Sequence, residues 1–118
     1  MSESVIHSDL NQHAPVMILA YNRPEHLART IESLKKCHSL DKREIYIYCD
    51  GIKQNATEKE SQACLAVQQL ATGFGDLGWH IRISERNLGL ASAVHSSVTE
   101  VLKNHGSVIV LEDDLLLA

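Results

Sequence analysis

Val16-Met17-Ile18-Leu19-Ala20-Tyr21-Asn22-Arg23-Pro24 is the stretch whose reading decides the fold. Val16 to Ala20 is a short, continuous apolar run, the pattern of a strand buried on both faces. Pro24 suits the first turn of a helix, where no backbone donor is needed. Leu27, Ile31 and Leu34 then recur at helical spacing, which predicts a helix to about Lys36. A doubly buried strand that turns straight into a helix is the opening unit of an α/β sheet.

The rest of the chain repeats that unit. Ile45-Tyr46-Ile47-Tyr48-Cys49 reads as a second strand, ending at Asp50-Gly51. Thr57-Glu58-Lys59-Glu60 is a capping box, in which hydroxyl and carboxylate satisfy free amides of the first turn; it predicts a helix to about Ala71. The glycines of Thr72 to Gly78 precede a strand rather than link a strand to a helix, so they read as a long turn and not a phosphate loop. Trp79 to Ile83 alternates apolar and polar, as an edge strand does. Asn87-Leu88-Gly89 leads into a third helix with Leu90, Val94, Val98 and Val101 on one face, stopped at Gly106. Val108-Ile109-Val110-Leu111 is a fourth strand, apolar throughout, that runs into Glu112-Asp113-Asp114.

The order β-α-β-α-β-α-β calls for a three-layer α/β/α domain on a parallel sheet. Ranked by hydrophobicity, the first and fourth strands are central and the third is an edge, which predicts the spatial order 3-2-1-4. That order puts a topological switch point between strands one and four, where open α/β sheets bind ligands beyond the carboxyl ends of their strands.

Bulk properties narrow the class. The 118 residues fit one domain, read as residues 15–118 behind a loose leader at 1–14. The formal net charge of −4, with no basic run interleaved with aromatics, argues against nucleic acid or an anionic membrane as partner. The three cysteines are an odd number without C-x-x-C spacing, which disfavours a disulfide framework or zinc cluster and fits a reducing cytoplasm. The polar N-terminus shows no signal peptide, and no apolar run approaches a membrane span. The apolar tail Leu115 to Ala118, so soon after a strand that wants another neighbour, suggests a piece of a longer protein.

The residues able to do chemistry gather at the predicted switch point. Three adjacent carboxylates, Glu112, Asp113 and Asp114, repel one another by roughly 1 to 4 kcal/mol per close pair. A bound cation would relieve that repulsion, and an all-oxygen ligand set suits a hard ion such as Mg²⁺ or Mn²⁺. Ala20-Tyr21-Asn22-Arg23 ends the neighbouring strand. Arg23 could pair with a phosphate while Tyr21 and Asn22 meet a base or ribose; alternatively, Asn22 caps the helix and Arg23 lies in solvent. The Asp50 carboxylate could accept from a nucleobase N–H or ribose hydroxyl, with Gly51 letting backbone come close, or the pair is an ordinary turn. The amides at Asn87 to Gly89 could face a ligand or be capped by Asn87. His95, two turns into the third helix, is a weaker addition to the set.

Together these four stretches resemble the nucleotide-binding half of GT-A glycosyltransferases. Pro15 to Pro24 looks like the opening strand and turn of family 2 enzymes, Glu44 to Gly51 like their second strand, and Arg86 to Ala91 like their N-x-G segment. Glu112-Asp113-Asp114-Leu115 looks more like family 13, the N-acetylglucosaminyltransferase I type. The resemblance implies a UDP-sugar donor, Mn²⁺ or Mg²⁺, and transfer to an acceptor hydroxyl of a glycan, lipid or protein by an inverting route. Carried over by position, it implies that Arg23 contacts the diphosphate, Asp50 the uracil or ribose, and Asp113 the ribose. Asp114 would ligate the metal with Glu112 in support. Cys49-Asp50-Gly51 replaces the usual Asp-Asp-Gly-Ser, and Ala93-Val94-His95 stands where family 2 often has Ala-Arg-Asn, so His95 would substitute as a donor contact. The resemblance puts the acceptor site and catalytic base beyond residue 118. A sugar nucleotidyltransferase would show a Gly-rich loop after the first strand, and a receiver-like interaction module an acidic pair there; Tyr21-Asn22-Arg23 is neither.

Overall fold

The computed structural model describes residues 2–7, 14–36 and 43–112. In chain order the elements are β1 (Ser2–His7), β2 (Val16–Ala20), α1 (Pro24–Lys35), β3 (Ile45–Cys49), α2 (Glu58–Gly73), a 3₁₀ helix (Phe74–Leu77), β4 (His80–Ile83), α3 (Leu90–His105) and β5 (Ser107–Glu112). The sheet runs β1-β5-β2-β3-β4. β5, β2, β3 and β4 are parallel neighbours, so the expected order 3-2-1-4 holds for the four strands read from the sequence. The edge position of β4 follows from its pattern, since Arg82 and Ile83 are exposed.

Five buried residues in a row make β2 the centre of the molecule. Side chains alternate along a strand, so both faces of β2 need cover. Val16, Ile18 and Ala20 join Ile45, Ile47 and Cys49 of β3 and Leu111 of β5 in one core, closed by Leu27, Ile31 and Leu34 of α1 and Val67 and Ala71 of α2. Met17 and Leu19 point the other way, into a second core with Tyr46, Val108, Val110, Val98 and Val101, beneath α3. The result is three layers, with two helices on one face and one on the other.

The N-terminal segment departs from the sequence reading. Residues 1–14 were expected to form a loose leader, but Ser2–His7 pairs antiparallel with β5, from Ser2 opposite Glu112 to His7 opposite Ser107. The physical reason is the demand noted for a strand as apolar as Val108 to Leu111. Its second edge needs hydrogen-bonding partners, and the start of the chain supplies them. Ser2-Glu3-Ser4-Val5-Ile6-His7, with only two apolar residues and those adjacent, is too short and polar to announce a strand on its own.

The α2 cap also differs in detail. Thr57 Oγ1 accepts from the Glu60 amide at 3.1 Å, as a capping box requires. The Glu60 carboxylate does not return the bond: Oε2 accepts instead from the Tyr21 hydroxyl at 2.7 Å. The stretch read as a long turn, Thr72 to Gly78, instead ends α2 at Gly73 and continues as the 3₁₀ helix Phe74–Leu77, with Phe74 stacked on Trp79 at 5.0 Å between ring centroids.

The central role of β2 predicts a large cost for truncating it. Ile18 is fully buried between β3, β5 and α1, so Ile18→Ala should lower unfolding stability by about 2–5 kcal/mol. Urea unfolding followed by circular dichroism measures it; a loss below about 1 kcal/mol would mean that the site is not close-packed.

Candidate donor site at the carboxyl edge of the sheet

All the described candidate residues except His95 lie where the strands end. Tyr21, Asn22 and Arg23 leave β2, Asp50 and Gly51 leave β3, and Asn87 to Gly89 join β4 to α3. β2 and β5 are in parallel register with Leu19 beside Glu112, so the turn carrying Arg23 emerges next to the strand that leads into the acidic triplet. Asp113 and Asp114 lie outside the described residues. Ala20, buried at the end of β2, contributes its carbonyl, which accepts from the Asp50 amide at 3.0 Å.

Asp50 is the centre of this edge. It is 7% exposed, and its carboxylate takes four N–H donors. Oδ1 accepts from the amides of Gly51 and Leu88, both at 2.9 Å. Oδ2 accepts from the Gly89 amide at 3.1 Å and from Asn87 Nδ2 at 3.2 Å. Asn87 Nδ2 also reaches the Gly51 carbonyl at 2.8 Å. The amides expected either to face a ligand or to be capped by Asn87 are therefore held by a carboxylate from the neighbouring strand.

Gly51 does allow a close approach, but of the chain's own backbone. A Cβ there would stand 2.5 Å from the Arg86 carbonyl carbon, 2.7 Å from its oxygen and 2.9 Å from the Ser84 oxygen. Ser84 continues the β3–β4 ladder by donating its amide to Cys49 O at 2.9 Å, and its hydroxyl donates to Arg86 O at 2.6 Å. At Gly89, the residue before α3, φ is +81°, a conformation that side chains with a Cβ rarely adopt. Asp50-Gly51 and residues 84–89 thus form one clamped unit.

Tyr21 is engaged on the opposite side of β3. Its hydroxyl donates to Glu60 and accepts from the Lys53 amide at 3.1 Å, and the Lys53 ammonium lies 5.8 Å from the ring centroid. Burial, with Glu60 adding to it and the Lys53 amide opposing it, pushes the Tyr21 hydroxyl up to about 12. Sequence reasoning missed Lys53 and Ser84 and read Glu60 only as part of the helix cap, because contacts between separate loops leave no spacing signal. Arg23 is half-buried and precedes α1, where its carbonyl accepts from Leu27 N at 3.0 Å. Asn22 is half-buried too, and it is Arg23 that occupies the N-cap position, with no side-chain cap bond. His95 is exposed on the second turn of α3.

Beneath the edge, Cys64 is buried, and its thiol donates to Asp50 O at 3.8 Å while Gln68 Nε2 donates to Cys64 Sγ at 3.6 Å. Burial pushes that thiol up. Among the described residues, no three His, Cys, Asp or Glu side chains cluster as a cation site, and no helix is long and apolar enough to cross a membrane.

Compared with known families, residues 16–118 match the family model described as Glycosyl transferase family 2. That match runs from β2 through the acidic triplet. Neither a curated protein nor a solved structure matches the chain.

Two outcomes follow from this geometry. Gly51→Ala must push backbone apart, so unfolding stability should drop by about 1–3 kcal/mol, read from urea midpoints; an unchanged midpoint would contradict the clamp. The Tyr21 hydroxyl rises from its ordinary value of 10.0 to about 12 in the folded chain, so the folded state keeps a proton that the unfolded state releases. Its contribution is fully present below pH 10 and lost as pH rises through 12. Urea midpoints taken up to that pH should fall less steeply in Tyr21→Phe; the part due to Tyr46, which burial also raises, should remain.

Proposed function

Because the chain belongs to glycosyltransferase family 2, we propose that it forms the donor-binding part of a metal-dependent, inverting enzyme that takes a UDP-sugar. Membership itself carries glycosyl transfer and a nucleotide-sugar donor; the finer reading is ours. The observation that carries it is the pairing of β2 with β5, Leu19 beside Glu112. It brings Arg23 and the start of the acidic triplet to one edge, which supports pairing the first with phosphate and the second with a cation.

In this reading the Arg23 guanidinium pairs with diphosphate oxygens, a charge-assisted contact. Asp114 holds Mn²⁺ or Mg²⁺ with Glu112 in support, and Asp113 meets the ribose. Carboxylate oxygens fit such an ion in hardness and charge, and the bound cation supplies charge neutralisation of the diphosphate leaving group. Tyr21 and Asn22 border the base or ribose, and His95 is the outermost donor contact. The acceptor, a glycan, lipid or protein hydroxyl, and the base that deprotonates it are assigned to no residue of this chain.

Calorimetry with UDP, with and without Mn²⁺, tests this reading. Wild type should bind UDP at least about tenfold more tightly with the ion, which Asp114→Asn should abolish and Glu112→Gln only reduce, because losing a metal ligand outweighs losing one supporting hydrogen bond. UDP binding that is independent of metal and unchanged in Asp114→Asn would reject the acidic triplet as a cation site.

A further inference from the structure

We propose that Lys53 is a specificity-determining residue of the donor site, its ammonium donating to the C4 carbonyl of the nucleobase and so favouring uracil over cytosine. The inference rests on the donor-site reading above, in which Tyr21 borders the base or ribose, and it names a group that chooses the base. Lys53 is exposed, but its backbone is held on both sides. Its amide donates to the Tyr21 hydroxyl at 3.1 Å, and its carbonyl accepts from the Ala56 amide at 3.2 Å. The Tyr21 hydroxyl is itself anchored on Glu60 at 2.7 Å. Residue 53 is thus fixed relative to the Tyr21 ring, and its side chain bends back until the ammonium lies over that ring, 5.8 Å from the centroid. A base laid against this face of Tyr21 meets the ammonium.

The charge is uncommitted. Among the described residues no carboxylate pairs with Lys53, the ion pairs there being His80 with Glu44 and Arg82 with Glu100. A cation resting on an exposed ring is weakly held, so it can exchange that contact for a charge-assisted hydrogen bond to a ligand. Position along the edge decides which part of the donor it meets. The order β5-β2-β3 puts Glu112 on one side of β2 and the loop carrying Lys53 on the other. With the diphosphate between Arg23 and the cation on the β2–β5 side, the base is the part that extends toward β3. An ammonium donates N–H and accepts nothing. It therefore suits the C4 carbonyl of uracil and opposes the C4 amino group of cytosine, which presents only donors.

UDP and CDP differ at that position, so calorimetry with each, at one fixed Mn²⁺ concentration, separates base selection from phosphate binding. The variant is Lys53→Met, which keeps an unbranched stem and removes the charge and the donors. Its bonds to Tyr21 and Ala56 are made by backbone, so the fold should persist, with an unchanged urea midpoint as the check. Wild type should prefer UDP to CDP by about tenfold or more, the loss expected when one charged hydrogen bond goes. Lys53→Met should weaken UDP by that factor and leave CDP unchanged. Equal weakening of both nucleotides would give Lys53 to the phosphates or to the path of the loop, and overturns the proposal. So does unchanged UDP binding, or a wild type without preference. A wild type that binds neither nucleotide refutes the donor-site reading and this inference with it, whereas every other outcome leaves that reading standing.

Discussion

Everything else in this molecule follows from a strand that cannot be exposed on either side. β2 has five residues and all five are buried, so helices must cover both of its faces and strands must bond both of its edges. The chain can meet that demand only by crossing the sheet repeatedly, which is why the four parallel strands end at the same edge and hand over to loops there. A site at that edge is a by-product of the burial. The hydrophobic core decides where loops congregate, and polar residues on those loops are then available for chemistry at no cost to the packing.

The loops themselves are not left to the core to hold. On one flank, Tyr21 ties the end of β2 to the first turn of α2 through Glu60 and the Lys53 amide. On the other, Asp50 and Gly51 grip residues 84–89. These straps are polar and sit at the boundary between core and solvent, where a charged acceptor in partial burial is worth more than on an open surface. The straps fix the path of the loops at this edge.

The sequence made the sheet legible because its strands differ in how they are buried. Val16 to Ala20 and Val108 to Leu111 are apolar without interruption, while His80 to Ile83 alternates, and that contrast alone yields the order of the four parallel strands. β1 was hidden because an edge strand paired on one side needs no apolar run. The carboxyl edge was legible as a place, since Asp50, Asn87 and Arg23 each follow or precede a recognisable element. Their partners were not: that Asp50 takes the amides of Leu88 and Gly89, or that Glu60 abandons its capping box for Tyr21, depends on how loops far apart in the chain meet. Spacing carries no record of such meetings. The acidic triplet was read from charge and position, and its last two residues lie outside the described structure.

The pairing of β1 with β5 has a consequence for how the chain reaches its fold. Ser2 lies opposite Glu112, so the first described strand can find its place only after the last described one exists. Contacts between residues so far apart in sequence require closing a loop of nearly the whole chain, which slows folding relative to local contacts. The units β2-α1-β3 and β3-α2-β4 can assemble from neighbours, whereas β1 and β5 must meet from nearly opposite ends of the described chain. That seam is the one of longest range in the described sheet.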